Sequence, residues 1–154
     1  GYAQMIASTT ALNTPGPDLA ALPAVHALTD VTGFGLAGHA LELARGAHCQ
    51  VQIDWPAVPL LSGVRALAAQ GQVTGASGRN WAGYGADVQL PEGFAAEDQA
   101  LLTDPQTSGG LLVTCDPSAL AEVLAIFRRH GFGAAAAIGQ IGPAVAGGPA
   151  LTVR

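Results

Sequence analysis

Residues 29–38 read T-D-V-T-G-F-G-L-A-G, and a helix-compatible stretch, H-A-L-E-L-A-R, follows directly at residues 39–45. Residues 25–28 in front suit a strand, so the segment runs from strand through a glycine-bearing loop into a helix. Gly33, Gly35 and Gly38 stand at the G-x-G-x-x-G spacing, and the next strand ends in Asp54, near where a ribose-binding acid would lie. That pattern fits a Rossmann-like dinucleotide-binding domain. Against it, the fingerprint needs its first glycine at the very end of the strand, and here Thr29, Asp30, Val31 and Thr32 intervene. Asp30 would also press a negative charge on a pyrophosphate unless a cation lay between them. The same residues suit a different task. Amide N–H groups at a helix start attract phosphate, and glycines let it approach closely. A carboxylate beside them can hold Mg²⁺, which takes one or two acids plus phosphate oxygens and water. Thr29 and Thr32 can offer hydroxyls to the same phosphate. A plain role for Asp30 as helix N-cap or turn residue fits the pattern equally well.

Working outward, helices and strands alternate. The opening stretch suits a short helix ended by Asn13 and the Pro15-Gly16-Pro17 turn. Periodicity predicts helices over residues 35–45, with Leu36, Ala40, Leu43 and Ala44 on one face and Gly46 as the stop, and over 59–70, 95–102 and 117–130. Strands are expected over residues 50–54, 134–142 and 151–153, with another leading out of the loop at 104–110. Residues 75–85, G-A-S-G-R-N-W-A-G-Y-G, read as a looser glycine-rich segment. The expected fold is a single layered α+β domain over residues 1–154, with a mixed rather than purely parallel sheet.

Composition narrows the function classes. Only 11% of the 154 residues are charged, against about 25% in an ordinary soluble domain. Hydrophobic residues make up 49%, and the mean hydropathy is +0.35. So little charge points to a surface that something else covers. The net charge is −5, and the six basic residues form no patch, which argues against nucleic acid as a partner. No apolar run is long enough for a membrane span. The first residue is Gly1 rather than Met, which reads as a trimmed piece of a longer chain. Cys49 and Cys115 lie in separate strand-like segments without C-x-x-C spacing, so both are expected to be reduced, which makes a cytoplasmic location the default. The four histidines show no ligand spacing, and Trp55 and Trp81 are expected to pack rather than stack on a ligand.

Three stretches, T-D-V-T-G-F-G-L-A-G-H (29–39), G-A-S-G-R-N-W-A-G-Y-G (75–85) and D-P-Q-T-S-G-G-L-L (104–112), together resemble the C-terminal half of selenophosphate synthetase (selenide, water dikinase), in that family's order. The resemblance implies an α+β domain, partly ferredoxin-like, that follows an N-terminal ATP-binding and dimerising domain. It implies a reaction of ATP, selenide and water that yields selenophosphate, AMP and orthophosphate with Mg²⁺. It assigns a Mg²⁺-binding role to Asp30 across the domain interface, with Thr32 and Gly33 as neighbouring phosphate contacts. Asp104, Thr107, Ser108 and the Gly109 and Gly110 amides either line the same cleft or simply build a turn into a strand. Arg79 and Asn80 meet a phosphate, the other domain, or only their own loop. The family's glycine-rich segment with its reactive Cys or selenocysteine and nearby Lys has no counterpart here, so neither Cys49 nor Cys115 is promoted to nucleophile. Alone, this chain is expected to be inactive.

Overall fold

A computed structural model describes residues 1–154 and contains six strands and seven α-helices. Strand β1 (Val25–Asp30) pairs antiparallel with β4 (Leu111–Cys115) as a two-stranded ladder, with Asp30 opposite Leu111 at one end. The other four strands form one sheet in the order β3 (Val88–Gln89), β6 (Leu151–Val153), β2 (Cys49–Ile53), β5 (Gly139–Pro143). Within it β2 and β3 each lie parallel to β6, while β5 runs antiparallel to β2. The sheet is therefore mixed, as expected from the alternation of elements.

Helices α1 (Tyr2–Thr9) and α2 (Gly16–Ala20) precede β1, and α3 (Gly35–Ala47) connects it to β2. Helices α4 (Val64–Ala69), α5 (Gly75–Tyr84) and α6 (Ala96–Leu102) lie between β2 and β4, and α7 (Leu120–Arg129) follows β4. The main core is built where α3 lies on the four-stranded sheet: Ala37, Ala40, Leu41 and Ala44 meet Val51, Ile53, Val88, Leu151 and Val153. Small side chains at three of those four helix positions let the backbone approach the sheet, and fully buried Leu41 and Leu151 each contribute roughly 1.5–3 kcal/mol. Leu19 of α2 with Val123 and Ile126 of α7 forms a second core against the β1–β4 ladder. Trp55 is buried edge-on to Phe94, a packing role. No helix is long and apolar enough to cross a membrane.

Several boundaries differ from the sequence reading. Helix α3 runs past Gly46 and stops at His48, whose left-handed φ of 50° turns the chain straight into β2. The helix expected over residues 59–70 begins only at Val64, because Gly63 at φ 83° interrupts it. The strand expected over 134–142 is instead Gly139–Pro143: the ladder with β2 ends at the Ile53–Gly139 pair, with one further bond from Asp54 N–H to Ile138 O (2.8 Å). Residues 75–84, expected to be loose, are a regular helix. Between the ladder with α7 and the β2–β5 edge with α3 lies an apolar cavity of about 1010 Å³, walled by Leu36, Leu43, Val113, Leu124 and Phe127. Cys49 and Cys115 are unbonded and border this cavity, and burial together with Asp116 raises the Cys115 thiol above its ordinary value.

Candidate functional site

At the Asp30–Leu111 end of the ladder the chain continues on both strands, and the two loops cross. The Val31 N–H donates to Gly110 O (2.9 Å), and the Gln106 N–H donates to Thr32 O (3.0 Å). Gly109 sits so close beneath Val31 that a Cβ there would lie 1.7 Å from the Val31 carbonyl oxygen. Only glycine fits. Asn13, beyond α1, donates its amide to Gly109 O at 3.0 Å. The stretches at 29–35 and 104–110 are one structure.

The inner side of the first loop is held by α3 and α5. Thr32 N–H donates to His39 Nε2 (2.9 Å), and the Thr32 hydroxyl lies 3.1 Å from the same nitrogen. Asn80 Nδ2 donates to Gly33 O (2.9 Å) and to Thr103 O (3.0 Å). One turn further along α5, the Tyr84 hydroxyl donates to Phe34 O at 2.5 Å, and burial pushes that phenol up to about 12. Gly35 adopts φ +70° with its α-carbon against the Thr103 carbonyl, where a Cβ would come within 2.6 Å. Thus the carbonyls of Thr32, Gly33 and Phe34 are all satisfied from within the domain. The N–H groups of Gly33 and Phe34 have no backbone acceptor, and both residues are exposed. They precede the first turn of a 13-residue helix, where the dipole favours an anion.

Asp30 is the last residue of β1 and is exposed. It borders a shallow cleft of about 390 Å³ with Asn13, Leu28, Thr29 and Leu111. Thr29 and Asp30 belong to the strand rather than the loop, and the N-cap position of α3 is Phe34. The helix-cap reading of Asp30 is thereby corrected: three residues, Val31, Thr32 and Gly33, separate it from the cap. Thr29 directs its hydroxyl to Asp30 O (3.1 Å). No group of three or more His, Cys, Asp or Glu side chains is placed to hold a metal ion. The donor set therefore fits Mg²⁺ only as one carboxylate among ligands that phosphate, water and acids from elsewhere must complete.

The remaining candidates divide. Asp104 is half-buried and accepts from the Thr74 hydroxyl (3.1 Å), which caps α5 by accepting from Ser77 N–H (3.2 Å). Gln106 Nε2 reaches the other Asp104 oxygen at 3.3 Å. Burial raises this carboxyl, and the two donors partly offset it. Asp104 therefore ties the second loop to the head of α5. Thr107 and Ser108 are exposed at the loop tip, and Arg79 is exposed on α5. His39, Asn80 and Tyr84 went unassigned or half-assigned in the sequence. The available signal was the recurrence of Asn80 and Tyr84 one helical turn apart, which becomes visible only once residues 75–84 are read as a helix.

The dinucleotide reading of Gly33, Gly35 and Gly38 fails on topology. That fingerprint needs the strands flanking the helix to be parallel neighbours in one sheet. Here β1 and β2 lie in different sheets, and the partner of β1 is antiparallel β4. Gly38 instead admits the Phe34 and Tyr84 side chains, the nearest atom only 2.4 Å from where its Cβ would be.

A mixed α/β domain whose two glycine-bearing loops cross at the end of a two-stranded ladder defines the class, and comparison with known proteins gives the family. Residues 9–149 match the family described as AIR synthase related protein, C-terminal domain. The chain belongs to that family. A selenide, water dikinase of Burkholderia pseudomallei (strain K96243) is 67% identical over 141 residues, covering 92% of this chain and 40% of that protein. Proteins of the same name from Pseudomonas straminea (57% over 141 residues; 92% and 40%) and Rhizobium meliloti (strain 1021) (51% over 152 residues; 99% and 43%) are also similar. The chain thus spans about 40% of the length of these curated relatives. A crystal structure of E. coli HypE, a hydrogenase maturation protein, shares the fold with a TM-score of 0.61 at 20% identity, covering 85% of this chain and 33% of that one. The resemblance carried by the three sequence stretches is borne out by these relatives.

Proposed function

We propose that this chain is the C-terminal half of a selenide, water dikinase, in which ATP, selenide and water give selenophosphate, AMP and orthophosphate. In this reading Asp30 contributes one oxygen ligand to a Mg²⁺ that, when bound, draws charge from the ATP phosphates. The Gly33 and Phe34 amides, at the positive end of α3, face the same phosphoryl oxygens and stabilise charge where it builds up during transfer. Thr29 borders the Asp30 cleft and keeps that strand end in shape. Thr107 and Ser108, exposed on the crossing loop, extend the donor surface. The nucleophile, the adenine site and the other Mg²⁺ ligands belong to a preceding ATP-binding domain, against which this low-charge surface packs and through which the whole protein dimerises in the cytoplasm. Alone, the chain binds phosphate weakly at most and turns nothing over.

One observation carries the reading: an exposed acid is followed within four residues by two unpaired amides, on the segment where all three family-like stretches converge. The test is Asp30→Asn in the full-length protein. Asn is nearly isosteric, so stability should change by less than about 1 kcal/mol, while ATP-dependent selenophosphate formation should fall roughly 10²–10³-fold. Near-normal turnover would reduce this half to a non-catalytic phosphate-binding or interface module.

A further inference from the structure

The geometry points to His39 as a positioning residue that sets which donors the Asp30 loop presents. A backbone N–H can only donate, so the 2.9 Å contact from Thr32 N–H requires an unprotonated Nε2. The Thr32 hydroxyl, 3.1 Å from that nitrogen, must then donate as well or share the contact. In a neutral ring the proton therefore sits on Nδ1. That atom is buried, and it lies 2.8 Å from Glu42 Oε2, one turn along α3. The contact is close but lies off the line that a hydrogen bond needs. Glu42 is half-exposed, so a small rotation of its side chain completes the bond, and its acceptor favours the Nδ1–H tautomer. Phe34 closes the other side of the ring, with centroids 6.0 Å apart.

The consequence follows from counting donors. Thr32 carries two, and the one lone pair of His39 Nε2 holds the N–H inward and draws the hydroxyl toward the same point. The exposed donors without a backbone acceptor on the loop are then the Gly33 and Phe34 amides, three and four residues on from Asp30. Thr32 Oγ1 keeps lone pairs for accepting, and its proton is drawn toward the nitrogen that the Thr32 N–H already engages. A ring protonated on Nε2 would set N–H against N–H and push Thr32 away, carrying Gly33 with it. His39 is thus the inner half of the site, and its functional consequence rests on the reading of Asp30 given above. A histidine that merely fills space would have no preferred tautomer and could be replaced by an apolar residue of similar size.

The experiment uses ¹⁵N-labelled protein and reads the imidazole nitrogens of His39 together with hydrogen exchange at Thr32. The expected result is Nε2 at the unprotonated end of its shift range, Nδ1 protonated, and a Thr32 amide exchanging at least about tenfold more slowly than that of Gly33. A proton on Nε2, or a Thr32 amide as fast as Gly33, overturns the proposal. In the full-length protein, His39→Gln offers an Oε1 near the Nε2 position and should retain selenophosphate formation within about threefold, whereas His39→Leu should lose about tenfold or more. Equal activity of the two variants overturns it too. If the leucine variant does not fold, the tautomer and exchange results on the unmutated protein still decide. They involve neither ATP nor magnesium, so they stand or fall independently of the Asp30 reading.

Discussion

Residues 33–38 and 75–85 are both rich in glycine, yet Gly35 and Gly38 of the first do the opposite of Gly78 and Gly83 of the second. At Gly35 and Gly38 the missing side chains are required. Gly35 lies against the Thr103 carbonyl with a positive φ, and Gly38 lies against Phe34 and Tyr84. In the second, Gly78 and Gly83 face open space, and the helix forms despite them. Each costs about 1 kcal/mol relative to alanine in a helix. What holds α5 is supplied by its neighbours: the Thr74 cap, the buried Ser77–Thr103 contact (2.6 Å), and Asn80 and Tyr84 reaching the first loop. A glycine therefore marks an unusual backbone only where something comes close to it.

The sharpest way to break this contrast is at the loop crossing. Gly109→Ala drives a Cβ onto the Val31 carbonyl, a backbone group rather than the flexible end of a side chain, with Gln106 Cβ also at 3.0 Å. The expected loss is about 3 kcal/mol or more, read from the denaturant midpoint. A variant of ordinary stability would mean that the two loops do not cross as described. Asn80→Ala comes next. It strips donors from the Gly33 and Thr103 carbonyls at once, and about 1–3 kcal/mol should be lost. If the melting temperature stays put, α5 is not anchored through that amide. The smallest effect has the opposite sign. Gly78→Ala and Gly83→Ala should each add about 0.5–1 kcal/mol, because nothing opposes the new methyl. Destabilisation at both positions would place another surface against that face of α5.

The same contrast explains what could be read in advance. The strand–loop–helix at residues 25–47 was legible because its signal is local: an apolar strand, glycines, then a 3.6-residue period. The burial of α3 was only partly legible. Leu41 is fully buried where Leu43 was expected, since the helix meets the sheet on one side and the ladder cavity on another. Helix α5 was missed because its stabilisation is tertiary, and no count of Gly, Ser and Asn within residues 75–85 reveals it. Asp30 was recognised as a candidate, but its place on β1 depends on pairing with Leu111. His39 looked like one of four scattered histidines until α3 turned it under Thr32.

The strand pairing carries a last consequence, for how the molecule comes together. Every ladder joins distant parts of the chain: Asp30 with Leu111, Cys49 with Pro143, Val51 with Leu151, Val88 with Leu151. No hairpin exists to nucleate either sheet. Closing such long loops is entropically costly before any contact rewards it, so folding should be slow, on the order of milliseconds to seconds even without proline isomerisation. The Asp30 loop meets residues 104–110 only when β1 finds β4. The loop crossing therefore appears in the same step as the ladder, while the Thr32–His39 contact, seven residues apart, needs only α3.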